Sequence, residues 1–499
     1  MAKRKTVTLY KNGNMILVSP TNDRIFSLLK AVLSFTETTQ VRGAEAWQRK
    51  KQGRSVYDRV DHVLFELDHK DRVATNYGFW KLIRDTLRAK GYTVRLKDLT
   101  PAKPEKMERH WGNIKNYTLK DIQPEFLKKI LTNRCGRLDC PPGFGKSFMI
   151  GIVAALLPRA RIDVVTQRVA VLRDRIYPEL VQMVGDVGIY GGGKKTLNKR
   201  VMCYTVGSMH HAKASDCDIL FGDEVHELAA DKAAAELVRW QNSRNYGLSA
   251  SHDMRYDGKD LRMQGVFGPI IFEVDYEQAK AAGMVVPITI KWTSVVTDYD
   301  PCGSHEDVEK KRNGFWTNDH RNNLIAEDAR QYDDDTQVLI TVETLQHAMN
   351  LKKLLPEYTL VYMDGGLGEQ ERNMYYKQGY CGSTEPLMDL ERKMRLTKDF
   401  ELGKLKKVIC TTVWNVGVSF NNLAVLLRAD GGGSSINAIQ IPGRVSRTTA
   451  GKDSAIVHDY LDQFNHGYKQ RAVKRAKMYE QNRWEQEFPR QSMLQEFLG

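Results

Sequence analysis

Cys140-Pro-Pro-Gly-Phe-Gly-Lys-Ser147 follows a short apolar strand at 136–140 and opens an apolar helix from Phe148 to Leu157. Strand, loop and helix thus arrive in the order a phosphate-binding loop requires. Glycines at 143 and 145 let backbone N–H groups approach a β-phosphate, and Pro142 and Phe144 complete the nucleotide-binding run. Lys146 brings a point charge to the β- and γ-phosphates, and the Ser147 hydroxyl is suited to ligate Mg²⁺. Cys140 stands where the general pattern has its first glycine.

Seventy-odd residues downstream, the strand Asp218-Ile-Leu-Phe221 ends in Gly222-Asp-Glu-Val-His226. Acidic side chains at the carboxyl end of a buried strand lie where open α/β sheets bind ligands. Asp223 is suited to hold Mg²⁺ through water, and Glu224 to orient the water that attacks a γ-phosphate, a reaction governed by positioning and charge.

Around these two segments short apolar runs alternate with helical ones. Strands are predicted at 136–140, 161–166, 200–204, 217–222 and 246–250, then in a second series at 337–341, 359–363, 407–411, 424–428 and 454–458. Such alternation specifies parallel sheets covered by helices, hence an α/β chain of two tandem lobes, 108–290 and 291–462. No sequence repeat relates the two lobes. A small α+β domain is expected over 1–107, ending in the linker Thr100-Pro-Ala-Lys-Pro-Glu-Lys106, and a basic helical tail over 463–499. In that tail Tyr468, Ala472, Ala476 and Tyr479 share one helical face, and Lys469, Arg471, Lys474, Arg475 and Lys477 cover much of the rest.

Lysine and arginine outnumber aspartate and glutamate by 75 to 61, a net charge of +14 that favours a polyanionic partner. Hydrophobic residues at 41% and only 15 prolines exclude a disordered chain. The seven cysteines are scattered without CxxC pairs, so reduced thiols are expected. No signal-peptide core or apolar run of membrane-spanning length appears, so a soluble cytoplasmic protein, in the host cytoplasm if viral, is expected.

Asp223-Glu224-Val225-His226 resembles the DExH box of superfamily 2 helicases, and other segments fit that family in order. The resemblance implies two tandem RecA-like lobes. It also implies that Gln123 reads adenine, that His226 links the γ-phosphate to the second lobe, and that Ser249-Ala250-Ser251 couples hydrolysis to nucleic-acid binding. Ser251 departs from the family's threonine. Gln440-Ile-Pro-Gly-Arg-Val-Ser-Arg447 matches the family's QxxGRxxR motif, with Arg444 and Arg447 expected on one face at the start of a helix, where planar guanidinium forks suit a γ-phosphate. Gly417 falls near the nucleotide by the same likeness, and Thr166, Arg168, Thr205, Ser208, Thr341 and Thr412 fall at nucleic-acid contacts. Ser419 stands where many relatives carry an acid, which removes the basis for a ribose contact there.

The segments 76–94, 267–273, 283–287 and 318–329 resemble phage branch-migration helicases of the UvsW type, a group similar to the XPB and RecG motors. That likeness implies a 3′-to-5′ motor that unwinds or branch-migrates forked and junction DNA, using ATP and Mg²⁺. Trp47, Arg49 and Lys50, with Lys51, Arg54 and Arg59, combine a stacking ring with cations, either a DNA-binding face of the small domain or a solvated basic loop. Leu367 to Asp389, with Tyr375, Tyr376 and Tyr380, reads as a strand-separating wedge or a plain surface insertion. An RNA helicase, a duplex translocase without unwinding, and an ATP-switched nucleic-acid-binding protein stand as alternatives.

Overall fold

In a computed structural model of the chain, the predicted strands around the phosphate loop assemble into an eight-stranded sheet. The structure describes residues 5–489 apart from 42, 142, 250–259, 304–306, 363–372, 375–376, 378–387, 415–419, 434–437 and 440. Two compact units adjoin in sequence at Val274 and Asp275.

In the first unit the sheet runs in the order Lys194–Thr196, Val187–Gly191, Val201–Thr205, Ile162–Thr166, Ile219–Asp223, Arg244–Ser249, Cys135–Asp139, Ile270–Glu273. Every neighbouring pair is parallel except the one made by Lys194–Thr196, at the edge. Ile162–Thr166, Val201–Thr205 and Ile219–Asp223 are buried at every position, as strands covered on both faces must be, which is why they read as continuous apolar runs. The sequence reading misses Val187–Gly191, Lys194–Thr196 and Ile270–Glu273. The first two are glycine-rich or polar, and all three lie at or beside an edge of the sheet, where one face or flank stays wet.

The small domain holds a five-stranded sheet, ordered Phe65–Leu67, Val73–Asn76, Met15–Ser19, Thr6–Asn12, Thr93–Asp98. Helices Asp23–Val32 and Trp80–Ala89 bring Ile25, Leu29, Ile83 and Leu87 into its core. A separate antiparallel pair, Ser34–Gln40 with Tyr57–Val63, carries the helix Gly43–Lys51 as an arm. The domain is seated firmly within the first unit. Asn14 donates through Nδ2 to the carbonyls of Trp240 at 2.7 Å and Ser243 at 2.9 Å, and a Cβ on Gly78 would lie 2.0 Å from the Gln264 carbonyl oxygen. The expected linker begins under restraint as well, because the Thr100 hydroxyl accepts from Lys11 and from Gly13 N, each at 3.0 Å.

The second unit is a seven-stranded, all-parallel sheet: Thr359–Val361, Lys407–Cys410, Val338–Thr341, Val425–Arg428, Ala455–Asp462, Ile288–Val295, Glu485–Glu487. Two expectations change here. A division between residues 290 and 291 would cut the strand Ile288–Val295, which pairs along its whole length with Ala455–Asp462. The tail is more than a docked helix, since after His466–Gln481 it adds the edge strand Glu485–Glu487 beside Thr289–Lys291. These three polar residues fall within the expected helical tail but form a strand. They are held by Trp292 Nε1 donating to Gln486 Oε1 at 2.9 Å and by Gln486 Nε2 donating to Ala476 O at 3.1 Å. Arg475, expected on the outward cationic face, is instead buried, its guanidinium donating to both Asp459 oxygens at 2.9 and 2.8 Å.

His347, fully buried in this unit, shares a 3.0 Å hydrogen bond between Nε2 and Asn322 Oδ1, and burial followed by the charge of Arg321 pushes its pKa down to about 3. The imidazole is therefore neutral when folded and protonates near 6.5 when unfolded. Its stabilising contribution is complete above the unfolded value. It falls as pH drops from 6.5 toward 3, because there the unfolded chain binds more protons. We expect about 1.4 kcal/mol lost per pH unit in that window, read as a falling urea midpoint for this unit, and a shallower fall in His347→Gln. An identical slope in the variant would exclude His347 as the source. Among the described residues no helix is long and apolar enough to cross a membrane.

Candidate active site

The phosphate loop turns on two glycines with left-handed backbones, Gly143 at φ 90° and Gly145 at φ 87°, a conformation glycine adopts without a Cβ penalty. Helix Lys146–Leu156 starts immediately after, with no side-chain cap on its first N–H groups. Its amino end thus offers the donors and the positive end of the helix dipole to an anion. Pro142 lies outside the described residues, and Phe144 is buried. Gln123 is buried beside the loop: its Oε1 accepts from Lys120 N at 3.0 Å, and a Cβ on Gly145 would meet its Nε2 at 3.2 Å.

Strands Cys135–Asp139 and Ile219–Asp223 end on the same edge of the sheet, which brings the acidic pair to the loop. Lys146 Nζ donates to Glu224 Oε1 at 2.9 Å. Glu224 itself sits at φ 49°, ψ 57°, a backbone region rarely used by a side-chain-bearing residue, which aims its carboxylate at the lysine. Burial acts to raise Glu224, but Lys146 and His226 outweigh it and hold the carboxyl below its usual range. Asp223 is raised, first by burial and then by the neighbouring Glu224 charge. Burial alone would lower Lys146, yet Glu224 and Asp223 keep it protonated. Glu224 Oε2 is buried and makes no hydrogen bond among the described residues.

An acceptor left open in so polar a site, beside a buried lysine and an uncapped helix end, fits a nucleotide with its hydrated Mg²⁺. His226 Nδ1 lies 2.8 Å from Ser249 Oγ and 3.5 Å from Glu224 Oε2, so the box is tied to the strand carrying the expected coupling motif. Ala250 and Ser251 lie outside the described residues.

Glu179 and Arg175 escaped the sequence reading. Helix Tyr177–Val184 continues from a π-helical turn, Leu172–Ile176, and packs on the helix of the phosphate loop so closely that a Cβ on Gly151 would lie 2.2 Å from Met183 Sδ. Glu179 is half-buried, its carboxyl raised by burial with the Arg175 charge acting the other way. Nothing in the local sequence marks a one-residue π insertion, so the facing of these side chains had no visible signal.

The expected nucleic-acid contacts divide. Thr166, Thr205, Ser208 and Thr341 are buried: Thr205 and Ser208 cap one turn reciprocally, and Thr341 Oγ1 donates to Leu427 O at 3.4 Å. The hydroxyls of Thr205, Ser208 and Thr341 are used by the fold itself, as polar groups at buried strand ends must be. Arg168 is half-exposed and held by Glu227, at 2.8 Å from Nε to both carboxylate oxygens. Thr412 is exposed in the short turn Thr412–Trp414. On the arm Trp47 is 64% exposed, with Lys51 Nζ 5.0 Å from its ring centre. Arg49 is occupied by Glu45 at 2.7 Å and Asp58 at 2.5 Å, which leaves Lys50 as the outward cation of the expected trio.

In the second unit Arg444 ends a single 3-10 turn, Pro442–Arg444, and Arg447 lies beyond it in a bridge to Val285. The expected helix does not form at these arginines. Lys452 donates to the carbonyls of Val445 at 2.5 Å and Arg447 at 3.0 Å, taking acceptors a helix would need. Arg444 donates to Trp414 O. Gln440 and Gly417 lie outside the described residues, as do Tyr375, Tyr376 and Tyr380.

A phosphate loop facing an Asp-Glu pair on a parallel sheet, followed in sequence by a second parallel sheet, defines a nucleotide-binding α/β protein, and this chain resembles the superfamily 2 helicases. No family model matches it. It is 24% identical over 265 residues to helicase 22 of the Sulfolobus islandicus filamentous virus, covering 50% of this chain and 43% of that one. It is 24% identical over 360 residues to the DNA 3′-5′ translocase XPB2 of Sulfurisphaera tokodaii, covering 66% and 78%. The chain therefore spans less than half the length of the viral relative. Among solved structures, S. cerevisiae Dbp5 bound to RNA and ADP BeF3 aligns over 77% of this chain and 94% of its own at 14% identity, with a TM-score of 0.50. T4 UvsW aligns over 97% and 99% at 16% identity, with a TM-score of 0.42.

Proposed function

We propose that this protein is an ATP-hydrolysing motor that moves 3′-to-5′ along DNA and unwinds or branch-migrates forked and junction substrates, in phage replication, recombination or repair. The buried Lys146–Glu224 contact with its open Glu224 Oε2 carries this reading, because a binding loop alone would not need a water-orienting acid. Lys146 binds the β- and γ-phosphates. Glu224 exchanges its lysine contact for the attacking water and accepts that water's proton. His226 and Ser249 pass the state of the site into the neighbouring strand. Ser147, and Asp223 through water, would hold Mg²⁺, which when bound neutralises charge on the phosphates. Arg444 and Arg447 are assigned to stabilising the γ-phosphate charge, and Gln123 to the adenine.

Trp47 and Lys50 on the arm are assigned to stacking and backbone contact with DNA. Likeness to a named DNA 3′-5′ translocase supports the direction. The test is ATP turnover with forked DNA, duplex DNA and single-stranded RNA. Forked DNA is expected to stimulate most; stimulation by RNA alone would favour an RNA helicase, and no stimulation by any of them would overturn the motor.

A further inference from the structure

We propose that Lys452 is a positioning residue for Arg447: its ammonium group grips the backbone of the arginine segment and so fixes where the guanidinium is delivered. The inference rests on the reading that assigns Arg447 to the γ-phosphate, and it adds a residue that reading does not contain.

The need for such a residue follows from the missing helix. Two arginines three residues apart on a helix would be aimed by the helix itself, through its regular hydrogen bonds. Here regular structure stops at the turn Pro442–Arg444, and the next strand begins only at Ala455. The carbonyls around Arg447 are taken by other groups. Ser446 Oγ donates to Gly443 O at 2.7 Å, and Val286 N donates to Ser446 O at 2.7 Å, beside the bridge from Val285 to Arg447. The carbonyls on either side of Ser446 go to a single atom, Lys452 Nζ, at 2.5 Å from Val445 O and 3.0 Å from Arg447 O.

Lys452 can reach back to Arg447 because the chain reverses between them. Lys452 N donates to Thr449 O at 3.2 Å, closing a four-residue turn with Gly451 at φ 79° in its third position. The half-buried ammonium has a third acceptor in Asn421 O, at 3.3 Å. An ammonium carries three N–H groups, and here they meet three backbone carbonyls. Its charge strengthens each bond. With its donors spent in this way, Lys452 is a clamp on the backbone rather than a ligand for a phosphate.

The experiment is steady-state ATP turnover by the full chain with forked DNA, in a cycle of Lys452→Met, Arg447→Ala and the double variant. Lys452→Met keeps the stem and loses the donors. It is expected to lower kcat about 10²-fold, the cost of misplacing a reacting group by about 1 Å. KM for ATP is expected to stay within about twofold of wild type, as for a contact made only in the transition state. Lys452→Arg, whose guanidinium also donates to carbonyls, is expected to recover most of the turnover. On the Arg447→Ala background Lys452→Met is expected to have no further effect. An undiminished loss on that background, an equal loss in Lys452→Arg, a raised KM with kcat unchanged, or wild-type kcat in Lys452→Met would each overturn the assignment. Should Lys452→Met not fold, Lys452→Gln, which keeps two N–H donors, takes its place in the cycle under the same criteria. Wild-type turnover in Arg447→Ala would overturn the γ-phosphate reading of Arg447 itself, and the role of Lys452 with it.

Discussion

Glu224→Gln is expected to bind ATP at least as well as the wild-type chain while turnover falls by about 10²–10⁴-fold, the usual worth of a positioned base. The substitution removes the charge that now holds Lys146 at 2.9 Å, so the lysine is released to the phosphates and binding does not suffer. It also removes the acceptor for the attacking water's proton, which an amide cannot replace. Lys146→Ala should behave differently, losing binding and turnover together, because the site then keeps two carboxylates without the lysine that offsets them against an incoming triphosphate. Equilibrium binding of a fluorescent ATP analogue beside phosphate release separates the cases. Turnover within a few-fold of wild type in Glu224→Gln would remove Glu224 from the chemistry.

The second large effect is on stability. Asp459 is fully buried and accepts from Arg475 at 2.9 and 2.8 Å and from the Tyr479 hydroxyl at 2.6 Å, with Arg428 Nη1 at 3.6 Å. Asp459→Ala leaves the buried Arg475 guanidinium without its carboxylate, while Arg428 keeps Asp430 at 3.2 Å, and so loosens the helix His466–Gln481 from the sheet it crosses. A cost of about 3–5 kcal/mol is expected, as for other buried pairs broken from one side. Lys474→Ala, on the exposed face of the same helix, should change stability by less than about 0.5 kcal/mol. Urea midpoints followed by tryptophan fluorescence compare the two; similar midpoints for both variants would show that the network does not anchor the helix.

Much of this was legible from residue order alone. Apolar runs of strand length between helical segments mark sheets buried on both faces, and the ten strands predicted in the two lobes all form within a few residues of their expected places, the strand expected at 454–458 extending to Asp462. The phosphate loop was readable for a related reason: a backbone that must approach an anion needs glycine at fixed offsets, and Gly143 and Gly145 take up the left-handed conformations that the offsets imply.

The edge strand Glu485–Glu487 was not readable, because its order comes from Trp292 and from the carbonyl of Ala476 rather than from its own three polar residues. Arg475 looked like its cationic neighbours until Asp459 and the chain turn between them placed it inside. Thr166, Thr205, Ser208 and Thr341 carried the right residue types for phosphate contact, yet the strands that hold them bury their hydroxyls.

For this protein, then, the sequence by itself determined the two α/β lobes and the chemical types gathered at the loop and the acidic box, since hydrophobic periodicity and backbone freedom are local properties. Tertiary structure alone decided which charges are spent on the fold and which face the site. Burial and pairing depend on what other segments bring alongside: Glu224 set against Lys146, and Glu45 and Asp58 occupying Arg49.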